Sequence, residues 1–235
     1  MTNQDKEQIL NSATTEDADL PQKIFGIGLP RTGTSSLGDA LKEMGFTCKH
    51  FAPELWPNPT VEALRAYDAF IDTPVPSLFG KLDKICVGSK FILTTRNKDA
   101  WLSSMDWMLT HGQVIWWWDL RTYNLCKETY GMAKYNKVHF SELYDQFHQK
   151  VNEYFKDRPQ DLLILDLDKK ICTKEIADFL EVEDISLSYP PKGKRVYASL
   201  GRRLAYRVYR SIIKTEKLDS VITGFLKKIW YRIKR

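Results

Sequence analysis

Apolar residues in this chain come in short runs separated by amphipathic stretches. KIFGIGL at 23–29 is a continuous apolar run ending in glycine, as expected of a strand buried on both faces. PRTGTSS follows, then SLGDALKEMGF, where Leu37, Ala40, Leu41 and Met44 repeat at helical spacing and Gly45 closes the helix. Strand, glycine-containing turn and helix form the first half of a β-α-β unit. The alternation recurs. A helix is predicted over 58–67, a strand (AFIDT) over 69–73, a helix over 77–86 and a strand (KFILTTR) over 90–96. A helix over 97–109, with Asn97 or Asp99 at its cap, comes next. LLILDL at 162–167 predicts a last buried strand, and 173–180 a helix that Thr173 could cap. Four or five apolar strands alternating with helices predict an α/β fold, a three-layer arrangement of a parallel sheet covered on both faces.

Between 112 and 159 the strand signal stops and aromatic residues accumulate, among them Trp116, Trp117, Trp118, Tyr123 and Tyr130. Two or three helices inserted before the last strand are expected there. They would build a lid or substrate pocket, although most of the aromatics are accounted for by helix packing. The expected organisation is a polar arm over 1–22, an α/β domain over 23–190 and a separate C-terminal segment over 191–235.

Charge sharpens that division. The chain holds 35 Lys+Arg and 30 Asp+Glu, a net charge of +5. Residues 191–235 alone carry 14 basic and 2 acidic residues, leaving 21 basic and 28 acidic in 1–190. The body is acidic, which excludes a domain whose whole surface coats nucleic acid. Within the tail, Val221, Ile222, Phe225, Leu226, Ile229 and Ile233 fall at helical spacing, with Lys227, Lys228 and Arg232 mostly opposite. Three readings stand for this segment: it packs on the domain, it lies on an anionic membrane or acidic partner, or its start, from Lys192 to Arg195, closes over a bound nucleotide. Cys48, Cys86, Cys126 and Cys172 are widely spaced with no C-x-x-C pair, so neither a zinc site nor a redox dithiol is expected. The polar start lacks an apolar leader, and no apolar run is long enough to span a bilayer. A cytoplasmic protein, peripheral to a membrane at most, is the expectation.

The most informative stretch is Gly28-Leu29-Pro30-Arg31-Thr32-Gly33-Thr34-Ser35-Ser36. Between a strand and a helix, backbone N–H groups and the helix N-terminus converge on an anion. The spacing is close to the nucleotide P-loop, G-x-x-x-x-G-K-[ST], but Thr34 stands where the lysine belongs. Triphosphate chemistry would lack its main charge clamp, while Arg31 could offer a guanidinium to a bound anion.

Pro30-Arg31-Thr32-Gly33-Thr34-Ser35 after a strand resembles the P-[KR]-x-G-T-[ST] loop of the P-loop sulfotransferase superfamily. That resemblance implies a loop that binds the 5′-phosphosulfate of 3′-phosphoadenosine 5′-phosphosulfate (PAPS). In that family an arginine at a strand end and a serine eight residues on hold the 3′-phosphate; here these are Arg96 and Ser104, with Ser103 as the fallback. The likeness runs over about 23–180 and extends to EIADFLEV and SYPP after the last strand. It implies a doubly wound sheet of the P-loop type with helical insertions, and a sulfuryl transfer from PAPS to a hydroxyl or amine of a small acceptor, without a metal. Arg31, Thr32, Gly33, Thr34, Ser35, Ser36, Arg96 and Ser104 would bind PAPS, with Arg31 also stabilising charge on the leaving group. For the general base, Asp72 at the end of AFIDT ranks first and His50 second; His111 and His139 have no support from spacing. A P-loop small-molecule kinase and a non-catalytic binding protein acting through the basic tail are the competing readings.

Overall fold

The computed structural model describes residues 20–169, 173–183, 197–213, 215 and 219. Its centre is a parallel sheet of β1 (Ile24–Gly26), β2 (Cys48–His50), β3 (Ala69–Ile71), β4 (Lys90–Thr95) and β5 (Leu162–Asp166), in the order β2-β3-β1-β4-β5. The helices are α1 (Thr34–Glu43), α2 (Val61–Arg65), α3 (Val75–Ile85), α4 (Lys98–Trp107), α5 (Leu120–Tyr130), α6 (Lys137–Phe155), α7 (Thr173–Leu180) and α8 (Leu200–Ile212).

Side chains alternate along the central strands, and both faces are apolar. Phe25, Phe70 and Phe91 enter one layer with Val75, Leu78, Phe79 and Leu82 of α3 and with Val151 and Phe155 of α6. Ile24, Ala69, Ile71 and Ile92 enter the other with Leu37 and Leu41 of α1 and Ile176 of α7. This is why the strands read as continuous apolar runs, and it gives the three-layer α/β sandwich that the pattern predicts. These four side chains of α3 repeat at i, i+3, i+4 and i+7, each worth roughly 1.5–3 kcal/mol of burial. A third apolar cluster joins α4, the inserted α5 and α6, and α8.

The structure departs from the sequence pattern at several places. β2 has no apolar run because, among the described residues, it is an edge strand of two half-buried residues and one exposed, and so it goes unpredicted. The helix expected over 58–67 shortens to α2, capped by the Thr60 side chain, which accepts from Ala63 N at 3.3 Å. Pro59 holds Asn58 out of helical backbone upstream of it. β5 is an edge strand among the described residues, and Ile164 is 51% exposed, so its apolar run does not mean full burial. Asn97 rather than Asp99 caps α4, accepting from Ala100 N at 3.1 Å. That helix runs on through a wide turn at Met108–Gly112 into Gln113–Ile115. The polar arm to residue 19, Cys172, Lys192 to Arg195 and the apolar positions from Val221 onward lie outside the described residues. Among the described residues no helix is long and apolar enough to cross a membrane.

Candidate active site

β1 and β3 are neighbours, but the helices that follow them pack on opposite faces of the sheet. Their chains therefore part at the carboxyl ends and leave a crevice, the usual ligand site of an open α/β sheet. A cleft of about 670 Å³ opens there, and Arg31, Gly33, Thr34, Ser35, Ser36, His50, Asp72, Arg96 and Ser104 all line it. Stretches that are far apart in sequence thus share one cavity.

The loop after β1 is held by packing. A Cβ on Gly28 would lie 1.9 Å from Thr94 Oγ1, so only glycine lets the loop pass this close to β4. Gly33 sits at φ +87°, and a Cβ there would also meet Leu167 at 2.7 Å. Thr32 is the one loop candidate that does not line the cleft. It is fully buried; its hydroxyl donates to Leu29 O at 2.6 Å and lies 2.7 Å from Thr94 Oγ1. Its N–H donates to Leu29 O. Both polar groups bond within the protein, so Thr32 shapes the turn from inside. Trp101, wholly buried on α4, donates from Nε1 to Pro30 O at 2.9 Å and clamps the loop from the far side. α1 then begins with no side-chain cap and no acidic residue in its first turn, leaving a helix N-terminus suited to an anion.

The two arginines meet. Arg31, at φ +73°, donates from Nε to Ser104 Oγ at 3.0 Å and lies 4.9 Å over the Trp107 ring. Arg96 Nη1 donates to Arg31 O at 3.2 Å. Ser104 is buried at 1% exposure and lines the cleft, whereas Ser103 is exposed and does not line it. Arg96 Nε is buried and has no hydrogen-bond acceptor among the described residues. A buried donor without an acceptor costs about 1–3 kcal/mol, which an anionic ligand would offset. Tyr144 braces this end of β4, donating to Arg96 O at 2.6 Å.

The two rivals for the general base form one unit. Asp72 Oδ2 lies 3.2 Å from His50 Nε2 and accepts from Thr34 Oγ1 at 2.7 Å. Oδ1 accepts from Thr73 N at 2.6 Å and Thr73 Oγ1 at 3.1 Å, and Tyr130 OH lies 2.5 Å from that same hydroxyl. Ser35 Oγ is 3.2 Å from His50 Nε2. Burial alone would raise the Asp72 carboxyl. The hydrogen bond and charge of His50, with the Thr73 amide and Thr34 hydroxyl, outweigh it and hold the pKa at about 2. For His50, burial pushes the imidazole down, but the Asp72 carboxylate outweighs it and leaves the pKa above its ordinary value. Asp72 is therefore ionised across the physiological range and has little proton affinity, while His50 holds a proton more firmly than an ordinary imidazole. The two candidates read separately from sequence thus stand as one coupled pair.

The insertion contributes Met108, Trp116, Trp118, Thr122 and Cys126 to the cleft wall, an apolar side facing the cations. Most of its other aromatics pack within the third apolar cluster. Neither His111 nor His139 lines the cleft; His139 Nε2 is 2.7 Å from Tyr130 O. Among the described residues no group of three acidic, histidine or cysteine side chains could hold a metal ion. Trp101, Tyr130, Tyr144 and Thr94, which brace the site without chemistry of their own, carried no sequence signal.

The profile of the sulfotransferase-domain family matches residues 23–195, and the chain belongs to that family. Ava biosynthesis cluster protein M of Aspergillus versicolor is 33% identical to it over 111 residues, which is 35% of this chain. The match spans 41% of the length of that relative.

Proposed function

We propose that this chain transfers a sulfuryl group from PAPS to a hydroxyl or amine of a small acceptor. Supporting this reading is the convergence of Arg31, Arg96 and Ser104 with the Asp72–His50 pair on one crevice at the strand ends. The residues fit the donor: the buried, unpaired Nε of Arg96 beside the Ser104 hydroxyl suits a phosphomonoester, and the Gly33 turn at the N-terminus of α1 suits a second anion. Bound PAPS would supply the sulfuryl group, with the acceptor–sulfur bond forming as the sulfur–oxygen bond to phosphate breaks.

Arg31 and the hydroxyls of Ser35 and Ser36, with the backbone N–H of Thr34, would hold negative charge at the mouth of α1. His50 would take the acceptor proton. Its Nε2–H points at the Asp72 carboxylate, so Nδ1 carries the lone pair. Asp72 positions the ring and stabilises the imidazolium that forms. The apolar wall of Trp116, Trp118, Met108 and Cys126 favours a small, partly apolar acceptor.

Calorimetric titration with adenosine 3′,5′-bisphosphate, and with the analogue lacking the 3′-phosphate, tests the reading. Binding should be independent of added metal and should weaken about 10–100-fold when the 3′-phosphate or the Arg96 guanidinium (Arg96→Ala) is removed. Equal affinity for ATP, or no binding of the bisphosphate, would sink it.

A further inference from the structure

α8 turns its tyrosines toward the protein. Tyr206 OH donates to Trp118 O at 3.0 Å, Tyr209 OH bonds the Asp219 carboxylate, and Arg202 Nη2 donates to Ile115 O at 2.8 Å. Its outer side is apolar instead. Leu200, Leu204, Val208 and Ile212 recur every fourth residue and are 65, 50, 57 and 60% exposed. At about 100° per residue these four make a single ridge along the helix. Tyr197, 64% exposed, stands just before it.

Between the ridge and the buried side run Arg203, Arg207 and Arg210. They line a second cleft, about 720 Å³, against Lys134 and the rings of Tyr123 and Tyr135. Asp106 is the one carboxylate among the described lining residues, and its Oδ1 accepts from Thr110. The Arg210 guanidinium stacks 3.9 Å over the Tyr123 ring. Arg203 Nε and Arg210 Nη1 are buried and have no hydrogen-bond partner among the described residues. Two buried guanidinium donors without acceptors, among four cations and one carboxylate, are costly unless an anion joins them.

We propose that this cleft takes the phosphate of an anionic phospholipid headgroup, and that the ridge beside it seats in the acyl boundary of the same bilayer. A soluble phosphate would answer the arginines but leave the ridge in water; an anionic bilayer meets both. An interfacial helix has this build, with an apolar side entering the boundary and arginines at its border. The charge of residues 191–235, 14 basic against 2 acidic, draws the same end of the chain to that surface.

The test is co-sedimentation of the full chain with phosphatidylcholine vesicles, with and without phosphatidylserine. Binding should require phosphatidylserine. Arg203→Gln/Arg207→Gln/Arg210→Gln should lower the vesicle partition about a hundredfold. Leu204→Gln/Val208→Gln, on exposed positions, should lower it by more than about tenfold. Unchanged affinity of both variants for adenosine 3′,5′-bisphosphate serves as the check on folding. Equal binding to neutral vesicles, no binding to either, or wild-type partition in both variants overturns the proposal. So does a ridge that buries itself in a dimer in solution, or glycerol 3-phosphate that saturates the cleft while vesicles do not bind.

Discussion

The molecule holds two arginine-lined clefts, and they are built on opposite plans. In the crevice at the strand ends, Arg31 and Arg96 come from loops that follow two different strands, and each is tied to another part of the site: Arg31 to Ser104, Arg96 to the Arg31 carbonyl. Behind them stand buried groups such as Trp101 and Thr32. In the second cleft Arg203, Arg207 and Arg210 come from one helix, on the flank of an exposed apolar ridge. The first arrangement fixes cations in space before a ligand arrives, which is what a reaction needs. The second offers charge along a surface, with less demand on position. Substitutions should therefore affect chemistry at the first cleft and surface partition at the second.

The sharpest break between the two regions is expected at His50. On the reading that His50 takes the acceptor proton, His50→Ala should lower kcat about 10²–10⁴-fold. The affinity for adenosine 3′,5′-bisphosphate should stay within about twofold, since His50 holds no phosphate on that reading. Turnover measured with labelled PAPS and an acceptor found by screening, beside calorimetry, reads both. A wild-type kcat would remove His50 from the chemistry.

Asp72→Asn comes next. Asp72 holds the His50 pKa above its ordinary value, and burial pulls the other way. If His50 takes the acceptor proton as proposed, the active form is the neutral imidazole, and rate is lost as pH falls through that raised pKa. Without the carboxylate the pKa drops, and the acid limb of kcat moves to lower pH. The plateau falls as well, because an amide does not stabilise the imidazolium. An acid limb that stays in place would show that another group titrates. His50→Ala removes the base and Asp72→Asn only mispositions it, so the second loss should be the smaller.

A structural change behind the first cleft should cost stability as well as binding. Gly28→Ala puts a Cβ 1.9 Å from Thr94 Oγ1, and the backbone of β4 is 2.9 Å away, so rotating the threonine alone does not relieve it. Overpacking of this kind costs about 1–3 kcal/mol. Urea denaturation should show it, together with weaker bisphosphate binding.

How far the sequence discloses each region follows from what fixes it. The sheet is legible because both faces are apolar, so 23–29 and 90–96 stand out as runs. Arg96 and Ser104 are legible through the family resemblance, because a strand end and the helix after it keep the eight-residue spacing. The pairing of His50 with Asp72 is not, since it depends on β2, whose three residues CKH carry no apolar signal. The loss of Thr32 to the loop interior depends on Thr94, 62 positions away in sequence. On α8 the four-residue repeat is visible in LGRRLAYRVYRSI, but which side faces the protein is decided by the tyrosine contacts to Trp118 and Asp219.

The smallest expected effect is the one that separates the two plans most directly. Leu204 is 50% exposed, whereas Leu41, beneath the first cleft's helix, is wholly buried. Leu204→Gln should change folding stability by no more than about 0.5 kcal/mol, as for other exposed positions. Leu41→Ala should cost about 2–5 kcal/mol through lost transfer energy and the cavity left behind. Urea melts of the two variants in vesicle-free buffer make the comparison. A loss at Leu204 of the size expected at Leu41 would mean that the ridge is packed within the folded protein, and its apolar surface would then need no membrane to cover it.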